Sequence, residues 1–420
     1  MLVDSLDVLR RRRSAKWRAH PEDVLPMFVA EMDVPIAPVI ADALKAAIDA
    51  SDTGYADADA PEFGAAVARF AGRRWGWEVD PARVTPITDV GVGVVELLRL
   101  VARPGDTVVI SPPVYPPFFE WTPEARLRLH EVPLTAGYRL DLAALEVAFA
   151  ERPAAYVLAN PHNPVGRVHT PEELAALVTL ASEYGVTVIS DEIHAPLVLP
   201  GATHTPFLSI PGAGAVGVSL ISASKAFNLA GLKCAAVVEG AGLDSGVASR
   251  ADASGGGGDA GASAGIGGVA GVGGAAGVGA GAGAGGGARD LAARFPPDAR
   301  WRTGHFGLLA TVAAFTEGDA WLDDLLTFLA ERRTQLAALL AEHLPAVTWR
   351  PPEATYLAWL DCRALDLGDD PAAVFLDKGR VALEPGVDFG AQGAGFVRLN
   401  FGTSAEILEE GVLRMARALG

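Results

Sequence analysis

Only five of the 34 basic residues are lysines: Lys16, Lys45, Lys225, Lys233 and Lys378. Covalent amine chemistry therefore has few places to happen. Lys225 closes Ser222–Ala223–Ser224–Lys225, directly after the apolar run Val218–Ser222. A lysine at a strand end lies at the carboxyl edge of a sheet, where α/β folds bind ligands. Small polar residues surround it (Ser222, Ser224, Asn228), and Lys233 follows eight positions later. Two cations so spaced suit one covalent role and one phosphate role. A second run ends in Ser190–Asp191–Glu192–Ile193–His194. An acid buried at a sheet edge takes up a proton unless a cation meets it, and a pyridinium nitrogen would be such a cation. A third ends in Asn160–Pro161–His162–Asn163–Pro164–Val165–Gly166. Its prolines and glycine fix a rigid turn, and Asn163 offers an amide to a ligand oxygen. A fourth leads into Pro112–Pro113–Val114–Tyr115–Pro116–Pro117, an aromatic ring in a stiff loop, as a stacking platform needs. Finally, Thr88–Asp89–Val90–Gly91 feeds the helical pattern Val92–Leu100, and a small-residue turn at a helix N-terminus seats phosphate. Each piece alone also reads as an ordinary turn or cap. All five fall at strand ends or helix starts on one sheet edge, and that convergence points to a ligand site.

The elements that must hold these loops alternate. Thr107–Ile110, Ala155–Ala159, Val186–Ser190, Val218–Ser222 and Cys234–Val238 are short, continuous apolar runs, as strands buried on both faces require. Thr170, Pro171 and Glu173 form a capping box that opens a helix through Tyr184. Strand–helix–strand order predicts a mostly parallel sheet covered on both sides. Towards the C-terminus, leucines 322, 325, 326, 329, 336, 339 and 340 recur at helical spacing. Tyr356–Leu360 and Phe396–Asn400 then read as strands, with a last helix from Ser404: a smaller α+β domain. The expected division is an N-terminal segment, 1–45, packing on the small domain; a large domain, 46–310; and a small domain, 311–420.

Composition narrows the function. The 420 residues carry a net charge of −17, which argues against nucleic acid as the main partner. The basic cluster Leu9–Arg13 reads as a solvated helix face, with a nuclear signal or an anionic-lipid patch as the alternatives. Two cysteines, Cys234 and Cys362, make neither a disulfide framework nor a four-thiolate metal site, so reduced thiols in a cytoplasmic protein are expected. The start MLVDSLDVLRRRR lacks the long apolar run of a signal peptide. Glycine is abundant, 48 residues, and 30 of the 38 positions in 251–288 are glycine or alanine. That stretch has almost no side chains to bury. It is read as part of a disordered surface insertion, 241–290, rather than a membrane span, and loops of such length cost little to close.

Together the motifs resemble the fold-type I pyridoxal-phosphate enzymes, the class I/II aminotransferase superfamily, and within it the MalY/PatB-type cystathionine β-lyases. The resemblance is carried by LPMFVAEMDVPIAP, TGY at Thr53–Tyr55, SPPVYPPF, NPHNPVGR, SDEIHAPLVLPGATHTPF, SASKAFNLAGLK, EATYLAWLD and FVRLNFG. They run from about residue 20 to 402. The resemblance implies a large domain with a mostly parallel seven-stranded sheet between helices, and pyridoxal 5′-phosphate as cofactor. Lys225 would hold the cofactor as a Schiff base and later shuttle the α-proton; Asp191 would pair with the pyridine nitrogen. Asn163 and His194 would lie by the ring hydroxyl, and Tyr115 would stack on the ring. Val90, Gly91, Ser222, Ser224 and Lys233 would hold the phosphate. Tyr55 would reach the site of a neighbouring subunit, implying a homodimer. Arg398 would grip the substrate α-carboxylate, with Asn163 helping to orient it, while Tyr356 would either line the substrate pocket or fill the small domain.

Three departures stand out: the phosphate turn reads TDVGVG, lysine stands at 233 where the superfamily often has arginine, and the long Gly/Ala insertion is not part of the family pattern. The implied activity is cleavage of cystathionine or related cysteine conjugates to a thiol, pyruvate and ammonia. The alternatives are an aminotransferase, which shares every cofactor contact, and a regulatory or binding protein that keeps the fold. No metal site is expected.

Overall fold

The computed structural model describes residues 3–57, 60–243 and 294–420. Beyond residue 243, the glycine-rich insertion expected at 241–290 lies outside the described residues. The strands in chain order are β1 (Leu25–Pro26), β2 (Val84–Ile87), β3 (Thr107–Ile110), β4 (Arg128–Glu131), β5 (Ala155–Ala159), β6 (Thr187–Asp191), β7 (Gly217–Ile221), β8 (Ala235–Glu239), β9 (Thr348–Trp349), β10 (Leu357–Asp361), β11 (Val381–Ala382), β12 (Glu384–Pro385) and β13 (Phe396–Asn400). Seven form one sheet in the order β2-β8-β7-β6-β5-β3-β4. Its neighbours are parallel except at β8, which runs antiparallel to both β2 and β7. This is the mostly parallel seven-stranded sheet of the fold-type I architecture.

Alternation explains the unbroken apolar runs. In β5, Tyr156 and Leu158 enter one core, while Ala155, Val157 and Ala159 enter the core on the opposite face. Both faces are dry, so neither takes polar residues. The two strands the sequence does not announce are the edges. β4 reads Arg-Leu-His-Glu and has no apolar run to notice. β2 holds Pro86, tolerable because an edge strand has one side without a ladder. Three inner strands shift by one residue from expectation, which makes Asp191 the last residue of β6 itself.

Register delivers the motif loops together. Ala159 pairs with Asp191, and Asp191 with Leu220, so the carboxyl ends of β5, β6 and β7 finish level. The helix Val90–Val101 lies against this sheet at close range, where a Cβ on Gly93 would collide with Leu220. The helix Pro171–Tyr184 carries its capping box intact, with Glu173 N donating to Thr170 Oγ1 and Thr170 N to the Glu173 carboxylate.

The second sheet, β12-β13-β10-β9, is antiparallel. All seven leucines picked out by helical spacing are buried on the helix Asp319–His343. The N-terminal segment joins this part of the molecule through β1, which pairs in parallel with β11. Met27 packs against Gly411, where a Cβ would displace its sulfur. Among the described residues, no helix is long and apolar enough to cross a membrane.

Candidate active site

A cavity of about 230 Å³ opens at the carboxyl edge of the seven-stranded sheet. Its wall includes Val90, Gly91, Tyr115, Asn163, Asp191, His194, Ser224, Lys225 and Lys233, so nine of the expected positions converge. Ser222, Tyr356 and Arg398 do not form the wall; Tyr55 does not reach the cavity in this chain. Phe118 and Trp121, on the helix Pro117–Glu124, complete the apolar side and were not anticipated. Their i, i+3 spacing on a short helix was the available signal.

Lys225 Nζ donates to Ala30 O at 3.1 Å. Burial, and then the positive Arg398, bring its pKa down to about 8. Asp191 is driven the other way, to about 7, chiefly by burial. Its Oδ1 accepts from Ile193 N at 3.1 Å, and no cation forms an ion pair with it among the described residues. Burial likewise holds His194 neutral, far below its ordinary pKa, and its Nδ1 is buried without a partner. Tyr115 is pushed up by burial and sits edge-on to Trp121, with ring centroids 6.2 Å apart. Asn163 accepts from Arg398 Nη1 at 3.3 Å, which leaves its amide N–H groups for a ligand. The turn that holds Asn163 ends in Gly166, at φ +65°, where a side chain would also strike Pro352.

A buried carboxylate with no cation, an unpartnered imidazole nitrogen and a lysine with a lowered pKa share one wall. A pyridoxal phosphate ring would supply what each lacks: a protonated ring nitrogen, a ring oxygen and an aldehyde. The phosphate would fall at the start of Val90–Val101, where Val90 and Gly91 line the cavity and the first backbone N–H groups of a helix lack an intrahelical partner. The residues present therefore fit the cofactor.

Behind the wall, Arg398 is 2% exposed. It donates to Phe28 O at 3.1 Å, lies 3.5 Å from Glu384, and leaves Nε unpartnered. Ser222 Oγ turns away to Cys234 O at 2.7 Å. Tyr356 is wholly buried and donates to Ala30 O at 2.8 Å, filling space behind the site. Tyr55 is 88% exposed and meets the less exposed Trp301 edge-on.

The segment LPMFVAEMDVPIAP has a physical reason for its composition. It meets the cavity at Ala30 as a bent strap whose successive carbonyls, Phe28 to Met32, accept from Arg398, Asn400, Lys225, Tyr356, Lys16 and Asn228. Lys16 and Asp33 clamp it further with a fully buried pair at 2.8 Å. Glu192, beside Asp191, is also fully buried, and accepts from Ser190, Ser219 and Phe207 N while facing His204 at 3.1 Å. His162 and His204 both lie inside the protein away from the cavity wall.

The chain matches the family model "Aminotransferase class I and II" over residues 22–253. A Mycobacterium leprae protein, provisionally named a cystathionine beta-lyase, is 43% identical, covering 99% of this chain and 97% of that one. Cystathionine beta-lyase PatB of Bacillus subtilis is 34% identical over 97% of each chain. A crystal structure from Corynebacterium diphtheriae, provisionally described as a PLP-dependent beta-cystathionase, superposes with a TM-score of 0.85 at 30% identity. That match covers 100% of this chain and 99% of the other.

Proposed function

Since this chain belongs to the aminotransferase class I and II family, we propose that it is a pyridoxal-phosphate-dependent carbon–sulfur β-lyase. Its substrate is cystathionine or a related cysteine S-conjugate, cleaved with water to a thiol, pyruvate and ammonia. The observation that carries the reading is the convergence of Lys225, Asp191, Asn163 and Tyr115 on one cavity wall at the carboxyl edge of the sheet. The relatives' names supply the choice of β-elimination over transamination.

Bound in this cavity, pyridoxal phosphate supplies an electron sink for the carbon next to the substrate amine. The protein's part is to place groups around it. Lys225 lies on the cavity wall, and its lowered pKa leaves a usable neutral fraction to take the Cα proton. Asp191 would hold the ring nitrogen as a carboxylate, because the attraction of a protonated ring nitrogen would offset the burial that raises its pKa. Arg398, held by Asn163 and Glu384, offers a positive charge for the α-carboxylate. Together, Arg398 and Asn163 fix the angle at which the Cα–H bond is presented. Loss of a thiolate from Cβ then competes with reprotonation, and Phe118, Trp121 and Tyr115 keep water from that side of the cavity.

The assembly is read as a homodimer in which Tyr55 of one subunit completes the site of the other; its exposure is what supports this. The chain is read as an N-terminal segment, 1–45, a cofactor domain, 46–310, and a small domain, 311–420. The protein is placed in the cytoplasm, where two buried free thiols, Cys234 and Cys362, are at home. Incubating the purified protein with cystathionine tests the activity. Pyruvate and thiol in equal amounts are expected. Glutamate formed from 2-oxoglutarate without thiol would make it an aminotransferase, and no turnover with no bound cofactor would make it a binding protein.

A further inference from the structure

The phosphate turn contains an acid, and an acid opposes phosphate. Asp89 caps the helix Val90–Val101, with Oδ1 accepting from Val92 N at 2.8 Å. Its other oxygen, Oδ2, holds Lys233 Nζ at 3.0 Å. Both side chains line the cavity, and Lys225 and Lys233 are the only cations on its described wall. Two of the places where the sequence departs from the wider superfamily, the phosphate turn and position 233, are therefore in contact with each other.

From this geometry we propose, resting on the cofactor reading above, that Asp89 weakens the grip of this seat on a phosphate dianion and so keeps the cofactor exchangeable. The pair carries no net charge while Lys233 remains on Asp89. Val92 N is already committed to the cap, which leaves the N–H groups of Val90 and Gly91, the partial positive charge of the helix end, and Ser224. Ser222 cannot make up the difference, because its hydroxyl is turned to Cys234 O. A lysine is a compact point charge, so Lys233 cannot grip carboxylate and phosphate side by side as a planar guanidinium would. The Lys233 side chain is 58% exposed and that of Asp89 32%, so water screens the opposition to a moderate size.

Asp89→Asn isolates the charge, since asparagine caps helices as well as aspartate does. The loaded wild-type and variant proteins are stripped and titrated with pyridoxal 5′-phosphate, and separately with pyridoxal, which lacks the phosphate. Binding is read from cofactor absorbance and tryptophan fluorescence. Asp89→Asn is expected to tighten pyridoxal phosphate about tenfold, the size of one screened charge at a few ångströms, and to leave pyridoxal unchanged. Inorganic phosphate should compete more strongly in the variant, and Lys233→Gln should weaken pyridoxal phosphate alone. If the wild type binds pyridoxal phosphate but Asp89→Asn does not tighten it, the inference is wrong while the lyase reading stands. Equal tightening of pyridoxal also overturns it, because the effect is then not on phosphate. If the wild type takes up no pyridoxal phosphate at all, the cofactor reading fails and this inference goes with it.

Discussion

Asp191→Asn should make the cofactor-free protein more stable and the loaded protein weaker. In the cofactor-free cavity, burial raises the Asp191 pKa from 3.8 to about 7. The native state then holds a proton that the unfolded chain has already released between those two values. Stability consequently falls as pH rises from about 4 to about 7 and is flat above. At about 1.36 kcal/mol per pKa unit, the penalty is about 2 kcal/mol at pH 5 and about 4 kcal/mol at pH 8. Asparagine keeps the bond from Ile193 N, is of equal size, and does not titrate. Urea unfolding of stripped protein should therefore show the variant gaining about 2 kcal/mol more over the wild type at pH 8 than at pH 5. The same variant loses the charge that meets a ring nitrogen, so its cofactor affinity and turnover should drop. A stability difference that is the same at both pH values would refute the argument, because it would mean that Asp191 titrates normally in the empty cavity.

Three other outcomes follow from the geometry. Attack on the cofactor aldehyde needs a neutral amine, so the rate of loading, followed by absorbance after mixing, should rise with pH and level off near 8, where the buried Lys225 titrates; levelling only above pH 10 would place Lys225 in water. Tyr55→Ala and Lys225→Ala should each be nearly inactive alone, yet hybrids formed by refolding the two together should regain pyruvate production if Tyr55 serves the partner's site. Thr170→Ala removes the capping box and should cost about 1 kcal/mol in urea unfolding, with turnover unchanged.

Much of the site could be read along the chain because its local rules are strong. Capping by Thr170 and Asp89, the rigid proline turns and the helical leucine spacing depend on residues within a few positions of one another. Motifs at the ends of two-sided strands had to converge once the sheet was parallel, and Lys225, Asp191, Asn163, His194 and Tyr115 do share one cavity. Edge strands were harder. β4 has no apolar run and β2 contains a proline, and their partners come from distant sequence.

By itself, the sequence determined which side chains could do chemistry and the order of elements carrying them. Only the tertiary structure decided what those side chains meet. That Lys225 and Tyr356 share the carbonyl of Ala30, that Asn163 is committed to Arg398, and that Asp89 holds Lys233 are contacts across 144 to 326 positions. No local spacing encodes such distances. The same holds for the shifts at Lys225 and Asp191, since both arise from burial, and burial is a property of everything packed around a residue.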